Sequence, residues 1–237
     1  MDDGNIESNA GGGPRILMVV TSHGELGNAG KRTGFWLEEV AVPYRVFGRA
    51  GARVDIASPR GGAAPVDPAS EQKTDDEVKA FRDDPEAAGK LASTLKLAEV
   101  RVEDYDAVFF AGGHGVMWDL AVSDEAAEVI GRAARKGAVV AAVCHGPAAL
   151  VRAQGADGRA LVAGKKVTGF SNEEEAAVGL AKVVPFLLED ELRRLGGKFE
   201  RGATWGAFAV RDGRLVTGQN PASSRVAAEE TLAALAT

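Results

Sequence analysis

Short runs of apolar residues recur along this chain, and each run is followed by a loop and a segment with a helical pattern. The runs are RILMVVTS (15–22), ARVDIASP (52–59), DAVFFAGGHG (106–115) and AVVAAV (138–143). Runs this short and this apolar are typical of strands that are buried on both faces of a sheet. Their alternation with helical segments predicts an α/β fold, in which a mostly parallel sheet carries helices on both faces.

The segments between the runs carry signals for helix ends and turns. Thr33 is expected to cap a helix that ends near Gly51. Residues 123–137 begin with a serine followed by acids and end with bases before a glycine, which is typical of a capped helix. GPAALVRA (146–153) predicts the start of a helix directly after the fourth run. FAVRDGRLVTG (208–218) has Asp-Gly at its centre and predicts a β-hairpin.

The layout of the chain favours one domain with a small insertion. Residues 1–13 are acidic and rich in glycine, and we expect them to form a disordered tail. Residues 14–237 are expected to form a single α/β domain. The stretch of about 61–99 interrupts the alternation of strands and helices, and its polar, mostly helical pattern predicts an insertion beside the sheet.

The charge and the apolar content exclude several kinds of partner. A net charge of −6 disfavours a nucleic-acid partner, which requires a basic surface. The apolar runs are too short to span a bilayer, so no membrane partner is expected. A single cysteine allows no intrachain disulfide, which favours a cytoplasmic location.

That cysteine, Cys144, lies at the end of the fourth apolar run, in the sequence AVVAAVCHGPAAL (138–150). The pattern of a small residue, any residue, a nucleophile, any residue and a glycine suits a sharp turn between a strand and a helix. Such a turn raises the thiol above the sheet and places it at a helix N-terminus, which favours the thiolate. The alternative is an inert core cysteine, which is common for a lone thiol. The Cys-His-Gly turn favours the reactive cysteine.

Four loops are expected at the carboxyl ends of the strands, where sites form in sheets of this kind. They are residues 23–30, 112–118, 144–147 and 169–175. The chain has three histidines, His23, His114 and His145, and each lies in one of these loops. Three histidines at one edge of a sheet favour a common site, although a single histidine in a loop is usually only solvated.

Several blocks of the sequence, in order and spacing, resemble one protein family. They are TGFWLEE (33–39), IASPRGG (56–62), FFAGGHGVMWDL (109–120), AAVCHGPAAL (141–150), VTGFSNEEE (167–175) and DGRLVTGQNPASS (212–224). Together they resemble the ThiJ/PfpI superfamily, the class I glutamine-amidotransferase-like proteins. Within it, the chain is most similar to the stress-inducible, glutathione-independent glyoxalases, which are also described as chaperones. The likeness covers about 15–237.

The resemblance implies a flavodoxin-like, three-layer α/β sandwich and a set of catalytic residues. It implies Cys144 as the nucleophile, His145 as the neighbouring base and a buried glutamate in the first helix that faces the thiol. Matching on the family pattern assigns this last role to Glu39 rather than Glu38. Because apolar residues surround Glu39 in the sequence, burial is expected to raise its pKa. A protonated carboxyl there could donate a hydrogen bond to the thiolate and move a proton.

The resemblance also implies a third acidic residue that orients the histidine. It falls in the stretch SNEEE, where the spacing fits Glu175 best and Glu174 is the alternative. Acidic residues at a helix N-terminus commonly serve only the helix dipole, and at least one of the three glutamates is expected to do so.

The remaining site residues are expected to form the oxyanion hole and to contact the substrate. The resemblance implies an oxyanion hole made by Gly113 and the backbone of His145, and Gly112 could supply another donor. His114 either contacts the substrate or caps its own loop. Trp118 and His23 complete the expected substrate-binding set. Trp118 and Trp205 could instead belong to the core, where tryptophan is more common.

The reaction implied by the resemblance is the conversion of a small 2-oxoaldehyde, methylglyoxal, to lactate through a cysteine hemithioacetal and an enediol. It requires neither glutathione nor a metal, and the chain shows no run of residues with metal-ligand spacing, so we expect no cofactor. Glutamine amidotransferases use a histidine far downstream of the cysteine, and no histidine follows His145. A peptidase, a deglycase, a holdase chaperone and a redox sensor stay open as alternatives. A homodimer is expected because the family often forms one.

Overall fold

The structure, a computed structural model, describes residues 12–72 and 75–237. The predicted tail, 1–13, therefore falls almost entirely outside the described residues. A seven-stranded sheet forms the centre of the fold, in the strand order β3-β2-β1-β4-β5-β9-β8. Its strands are β1 (Arg15–Val19), β2 (Arg53–Ser58), β3 (Leu95–Lys96), β4 (Ala107–Phe110), β5 (Val139–Val143), β8 (Ala209–Asp212) and β9 (Leu215–Gly218). A second, two-stranded sheet consists of β6 (Lys166–Val167) and β7 (Lys198–Phe199).

All neighbours in the main sheet are parallel except the hairpin β8–β9, which is antiparallel. The central strands β1, β4 and β5 are almost entirely buried, which explains why their sequences are continuous apolar runs instead of alternating ones. The parallel pairing brings the carboxyl ends of β1, β4 and β5 to one edge of the sheet. The loops that follow these strands therefore meet there.

Helices cover the sheet. The helices are α1 (Glu38–Arg49), α2 (Asp76–Arg82), α3 (Pro85–Ala92), α4 (Asp124–Arg135), α5 (Asn172–Ala177), α6 (Leu188–Arg194) and α7 (Ser224–Leu235). α1 and α7 pack against each other and against the sheet, whereas α4 packs against β4 and β5. This arrangement is the flavodoxin-like sandwich, so the predicted fold class is confirmed. Among the described residues, no helix is both long and apolar enough to cross a bilayer.

Two local predictions about helix ends are wrong. Thr33 does not cap the first helix, which begins at Glu38, because the Thr33 hydroxyl donates a hydrogen bond to Asp67 Oδ2 at 2.8 Å. The chain between Thr33 and Glu38 instead runs beside residue Val66, to which Phe35 pairs. The segment after β5 forms a short 3-10 turn, Gly146–Leu150, in place of the predicted helix.

The stretch of about 61–99 forms α2, α3 and the edge strand β3. β3 pairs in parallel with β2, so the stretch extends the sheet as well as lying beside it. Glu77 on α2 forms ion pairs with Arg49 of α1 and Arg225 of α7, which fixes α2 against these two helices. Whether this stretch is an insertion into a single domain stays a prediction.

Candidate active site

Cys144 follows β5 in a sharp turn. Its backbone φ is +60°, and Cys144 and Trp205 are the two non-glycine residues with positive φ among the described residues. The turn is fixed on both sides, because the Cys144 N–H donates to the Gly218 carbonyl and the Cys144 carbonyl accepts from the Phe170 N–H. An L-residue held in this strained region is characteristic of sites where side-chain direction matters more than backbone energy.

Glu39 lies on α1, is fully buried and faces the thiol of Cys144. Its Oε2 accepts a hydrogen bond from the Gly112 N–H at 2.6 Å. Burial raises the pKa of Glu39 well above its usual range, and hydrogen bonds with Cys144 and the Gly112 N–H only partly oppose this effect. The expectation that burial raises this pKa therefore agrees with the structure, and the carboxyl is protonated over a pH range in which a solvated glutamate is ionised.

The pKa of Cys144 is also raised well above its usual range, by burial and by the charge of Glu39. Hydrogen bonds from the N–H groups of Gly113 and His145 act in the opposite direction and favour the thiolate. The prediction that a helix N-terminus deprotonates the thiol is wrong, because only a short 3-10 turn follows Cys144. Instead, Cys144 and Glu39 compete for one proton. The thiolate forms when Glu39 carries that proton, which removes the repulsive charge.

His145 lies on the other side of the thiol, with Nδ1 at 3.5 Å from the Cys144 Sγ. Burial and the neighbouring His114 lower the pKa of His145 to about 4, although Glu175 opposes them. The His145 Nε2 lies 2.7 Å from the Glu175 Oε2. Burial works to raise the pKa of Glu175, but the charge of His145 and hydrogen bonds from His114 and His145 hold it at about 2. A carboxylate can only accept, so Nε2 carries the imidazole hydrogen and the bare Nδ1 faces the thiol.

The three consecutive glutamates of α5 have three different environments. Glu173 forms an exposed ion pair with Arg201. Glu174 is buried and completes a capping box with Ser171. Among the described residues, it forms no hydrogen bond with a histidine. Glu175, one residue further along the helix, points toward His145. Sequence spacing ranked Glu175 above Glu174, and the structure brings Glu175 to the histidine.

His114 lies beside this cluster and shares its carboxylate. The His114 Nε2 lies 2.9 Å from the Glu175 Oε1, and its ring centroid is 4.1 Å from that of His145. One carboxylate therefore orients two imidazoles, one through each oxygen. Ligand-type atoms of His114, His145 and Glu175 lie within 4.8 Å of one another, so the fold assembles a potential metal-ligand group that linear spacing did not reveal. Both rings already use these atoms as donors to Glu175.

The two glycines after β4 leave room for the site. A Cβ atom on Gly112 would lie 2.6 Å from the His145 nitrogen and 2.7 Å from the Glu39 Oε2. Gly113 has φ of +100°, and a Cβ there would collide with the Gly34 carbonyl oxygen. Gly112 therefore leaves room for the turn after β5 and for Glu39, and Gly113 leaves room for the chain that leads into α1. The Gly113 N–H is thereby free to bind the thiol.

His23 and Trp118, by contrast, are not part of the lining of the cavity at Cys144. Their rings stack on each other, with centroids 5.6 Å apart and planes at 14°. The His23 Nε2 forms a hydrogen bond with the Glu25 carbonyl, and Trp118 packs against Gly27. The stack joins the loop after β1, which carries His23, to the loop after β4, which carries Trp118. The expectation that these two residues contact the substrate is therefore corrected, since both serve loop packing outside the cavity.

A cavity of about 380 Å³ opens above Cys144. Its walls are Trp36, Glu38, Gly113, His114, His145, Phe170, Val178, Trp205, Asn220, Pro221 and Ala222. The stretch of about 61–99 contributes none of these residues, so it lies beside the sheet without lining this cavity. The apolar walls come from segments around Phe170, Trp205 and Pro221. Trp36 and Phe170 were not predicted as site residues, although both lie within the blocks TGFWLEE and VTGFSNEEE that carry the family resemblance.

A larger depression, of about 730 Å³, lies at the other end of the sheet. It is lined by the residues that begin β1 and β2, including Arg15 and Arg53. Arg15 is paired there with Asp55, and Lys90 with Glu86. Parallel sheets place their sites at the carboxyl ends of strands, so the smaller cavity at Cys144 is the candidate site.

Comparison with known proteins agrees with this geometry. The sequence model of the DJ-1/PfpI family matches residues 32–234. The chain belongs to the DJ-1/PfpI family. The resemblance drawn from the sequence blocks is thereby confirmed.

Among relatives, the glutathione-independent glyoxalase HSP31 of Saccharomyces cerevisiae is 31% identical over 232 residues, which cover 93% of this chain and 98% of the relative. The crystal structure of glyoxalase III from Candida albicans is similar with a TM-score of 0.87 at 31% identity, covering 93% of this chain and 97% of that one. The Rapid Encystment Protein 24 KDa of Francisella tularensis has a TM-score of 0.90 at 37% identity, covering 94% of this chain and 99% of that one.

Proposed function

We propose that this DJ-1/PfpI protein is a glutathione-independent glyoxalase that converts 2-oxoaldehydes such as methylglyoxal to 2-hydroxy acids such as lactate. The observation that carries the proposal is the position of Cys144 between a protonated carboxyl, Glu39, and a neutral imidazole, His145, whose free Nδ1 faces the sulfur. A relative covering nearly the whole chain bears the name of this activity.

The first step is attack of the Cys144 sulfur on the aldehyde carbon. The N–H groups of Gly113 and His145, which bind the sulfur in the resting site, lie next to the oxygen that becomes negative. Glu39 gives its proton to that oxygen, so a neutral hemithioacetal forms and Glu39 becomes a carboxylate. The buried carboxylate is a stronger base than a solvated one, because its pKa is raised.

The second step moves a proton between neighbouring carbons. The Glu39 carboxylate removes the hydrogen from the former aldehyde carbon, and the electron pair forms an enediolate with its negative charge on the former ketone oxygen. Glu39 returns the proton to the former ketone carbon, and the hydroxyl hydrogen of the former hemithioacetal passes to the neighbouring oxygen. The result is a neutral 2-hydroxy thioester, and Glu39 is again a carboxylate. One carbon is oxidised and its neighbour is reduced by the same two electrons, so the step requires no outside oxidant.

The third step is hydrolysis of the thioester. The neutral His145 accepts a proton from water at Nδ1 as the water attacks, and Glu175 stabilises the resulting imidazolium through Nε2. The products are the 2-hydroxy acid and the Cys144 thiolate. His145 then passes its proton to the Cys144 sulfur, 3.5 Å from Nδ1, and the sulfur passes it to the Glu39 carboxylate, which regenerates the resting site. The sum is one 2-oxoaldehyde and one water converted to one 2-hydroxy acid.

The same group of cysteine, histidine and acid would serve a peptidase. One feature supports the glyoxalase instead. The aromatic walls formed by Trp36, Phe170 and Trp205 define a compact cavity, whereas a peptide requires an extended groove. The deglycase, redox-sensor and holdase alternatives stay predictions, as do the homodimer and the cytoplasmic location.

The test is formation of lactate from methylglyoxal in buffer free of glutathione and thiols. Wild-type protein is compared with Cys144→Ala, and both are purified in the presence of a chelator. We expect turnover by the wild type and a loss of at least about 100-fold in the variant, equivalent to about 2.7 kcal/mol in the barrier. Absence of lactate above background with folded wild-type protein would contradict the proposal. Sedimentation of the same preparation tests the homodimer.

A further inference from the structure

The cavity at Cys144 is much larger than methylglyoxal. Taking the liquid volume of water, about 30 Å³, for each non-hydrogen atom, the five atoms of methylglyoxal occupy roughly 150 Å³. The cavity measures about 380 Å³. More than half of the space would stay unfilled by the simplest 2-oxoaldehyde. A molecule of ten such atoms, roughly 300 Å³ by the same measure, would fill it.

The unfilled part of the cavity is walled by apolar side chains. Phe170 packs against the His145 ring at 4.4 Å between centroids, and the Trp205 ring lies 5.8 Å from Phe170 at 60°. Trp36 and Val178 are further parts of the wall. Because Phe170 contacts the His145 ring directly, a substituent on the reacting carbons would lie against Phe170 and the rings beside it.

Trp205 has two energetically unfavourable features, a positive backbone φ and a partly exposed indole. Its backbone φ is +61°, which costs about 1–2 kcal/mol in a residue with a Cβ. The residue as a whole is 48% exposed, although an indole gains by burial. Neither the core nor the turn requires a tryptophan at this position. A ligand that covers the exposed ring would supply the missing contact.

Buried polar groups fix the segment that carries Trp205. The Trp205 N–H donates to the Glu174 Oε1 at 3.0 Å. The same oxygen accepts from the side-chain amides of Gln219 and Asn220, and the Asn220 amide also donates to the Gly206 carbonyl. Glu174 therefore positions Trp205, while the next residue of the same helix, Glu175, positions His145. Neighbouring residues of one helical turn therefore form hydrogen bonds with the aromatic wall and with the catalytic base.

We propose that the preferred substrates are 2-oxoaldehydes with an apolar substituent the size of a phenyl ring, and that Trp205 is the residue that selects them. The inference rests on the proposed function and names its substrate class. For phenylglyoxal, the reaction adds one water and yields mandelate, with the aldehyde carbon oxidised and the ketone carbon reduced as above. The phenyl ring would pack against Trp205 and Phe170, where ring pairs are favourable beyond their buried area.

The test compares kcat/KM for phenylglyoxal and methylglyoxal in wild type, Trp205→Ala and Trp205→Phe. We expect Trp205→Ala to lower the ratio of the two values about tenfold, mainly through KM for phenylglyoxal, and Trp205→Phe to restore most of it. Leu95→Ala is the matched control, because Leu95 is 45% exposed and lies on the edge strand β3, away from the cavity. An unchanged ratio in folded Trp205→Ala, with methylglyoxal still converted, would overturn the inference and leave the proposed function intact.

A binding measurement covers the case in which neither aldehyde is converted, which would contradict the proposed function. Calorimetry on Cys144→Ala compares two diketones that cannot isomerise, 1-phenylpropane-1,2-dione and butane-2,3-dione. The inference expects the phenyl compound to bind at least about tenfold more tightly, and Trp205→Ala in the same background to remove the difference. Equal affinity of the two diketones would overturn it, whatever the activity of the wild type.

Discussion

The Nε2 atom of His145 lies 2.7 Å from Oε2 of Glu175, at the N-terminal turn of a six-residue helix. This contact fixes the hydrogen of the imidazole on the side away from the cysteine. The other oxygen of Glu175 is bound by His114, so the carboxylate cannot rotate without losing a second hydrogen bond. The His145 imidazole is therefore held in one orientation in the absence of substrate.

The three glutamates of this helix provide an internal series of variants. We expect Glu175→Gln to lower kcat about 10²–10⁴-fold with little change in KM, since it removes the charge that fixes the tautomer and stabilises the imidazolium. Glu173→Gln is the control, because Glu173 only pairs with Arg201 at the surface. Steady-state kinetics with methylglyoxal measures both. Equal activity of the two variants would contradict the role given to Glu175.

Glu174→Gln is expected to behave differently from both neighbours. Burial works to raise the pKa of Glu174, but hydrogen bonds from Ser171, Asn220 and Gln219 lower it on balance. The glutamine would place an amide where several donors converge, which costs about 1–3 kcal/mol of unfolding free energy. Chemical denaturation measures this loss. A variant as stable as wild type would show that Glu174 is not the anchor of the segment around Trp205.

Glu39→Gln is expected to abolish turnover while keeping the fold. The amide oxygen can still accept the Gly112 N–H, but the side chain can no longer give or take a proton. We expect a loss of at least about 100-fold in kcat/KM for methylglyoxal, together with retained binding of a diketone analogue. Turnover within a few fold of wild type would remove Glu39 from the mechanism.

The same variant has a pH signature in stability. The raised pKa of Glu39 means that the folded protein holds this proton more tightly than the unfolded chain does. Its contribution to stability is therefore complete below about pH 4.5 and is lost as the pH rises through the folded pKa. We expect the unfolding free energy of Glu39→Gln, relative to wild type, to increase as the pH rises. A difference independent of pH would mean that the pKa of Glu39 is the same in the folded and the unfolded protein, which would contradict the raised pKa.

The acid limb of activity is expected near pH 4 instead of 6.5, because His145 must be neutral to act as a base and its pKa is lowered to about 4.

Lowered pKa values also predict acid unfolding. The unfolded chain binds a proton at His145 below pH 6.5, and at Glu175 below pH 4.5, before the folded protein does. Stability from these groups is present at neutral pH and is lost as the pH falls toward 2. Profiles of kcat/KM and of melting temperature against pH measure the two effects separately.

Gly113→Ala is expected to damage the site and the fold together. The added methyl group would meet the Gly34 carbonyl at a φ of +100°, which costs on the order of 3 kcal/mol. It would also move the N–H that binds the Cys144 sulfur. Gly48→Ala in α1 is the control, since a Cβ there meets nothing within 4 Å and alanine should add about 0.5–1 kcal/mol. Thermal melts that rank the two variants in the opposite order would refute this assignment.

Much of the fold could be predicted from local signals. The continuous apolar runs identified β1, β4 and β5, because strands covered on both faces leave no solvent-facing positions to interrupt the pattern. The run that identified β2 contains Arg53 and Asp55, and β2 is correspondingly only partly buried. The Asp-Gly turn identified the hairpin β8–β9 for a similar local reason. The prediction that Thr33 caps a helix was wrong because the Thr33 hydroxyl donates to Asp67, which lies 34 residues further along the chain. A contact between residues so far apart in sequence leaves no local sequence signal.

The sequence by itself determined where the reactive groups lie along the strands. A thiol after β5, a glycine pair after β4 and a glutamate on α1 reach one edge of the sheet because parallel strands end together. The apolar neighbours of Glu39 already predicted its raised pKa, but only the tertiary structure decided the protonation chemistry of Cys144 and His145. Burial raises the pKa of Glu39 and Cys144 and lowers that of His145, and burial is a property of the packed molecule. The same packing paired His23 with Trp118 and brought Phe170 and Trp205 to the cavity, because side chains distant in sequence compete for one shared space.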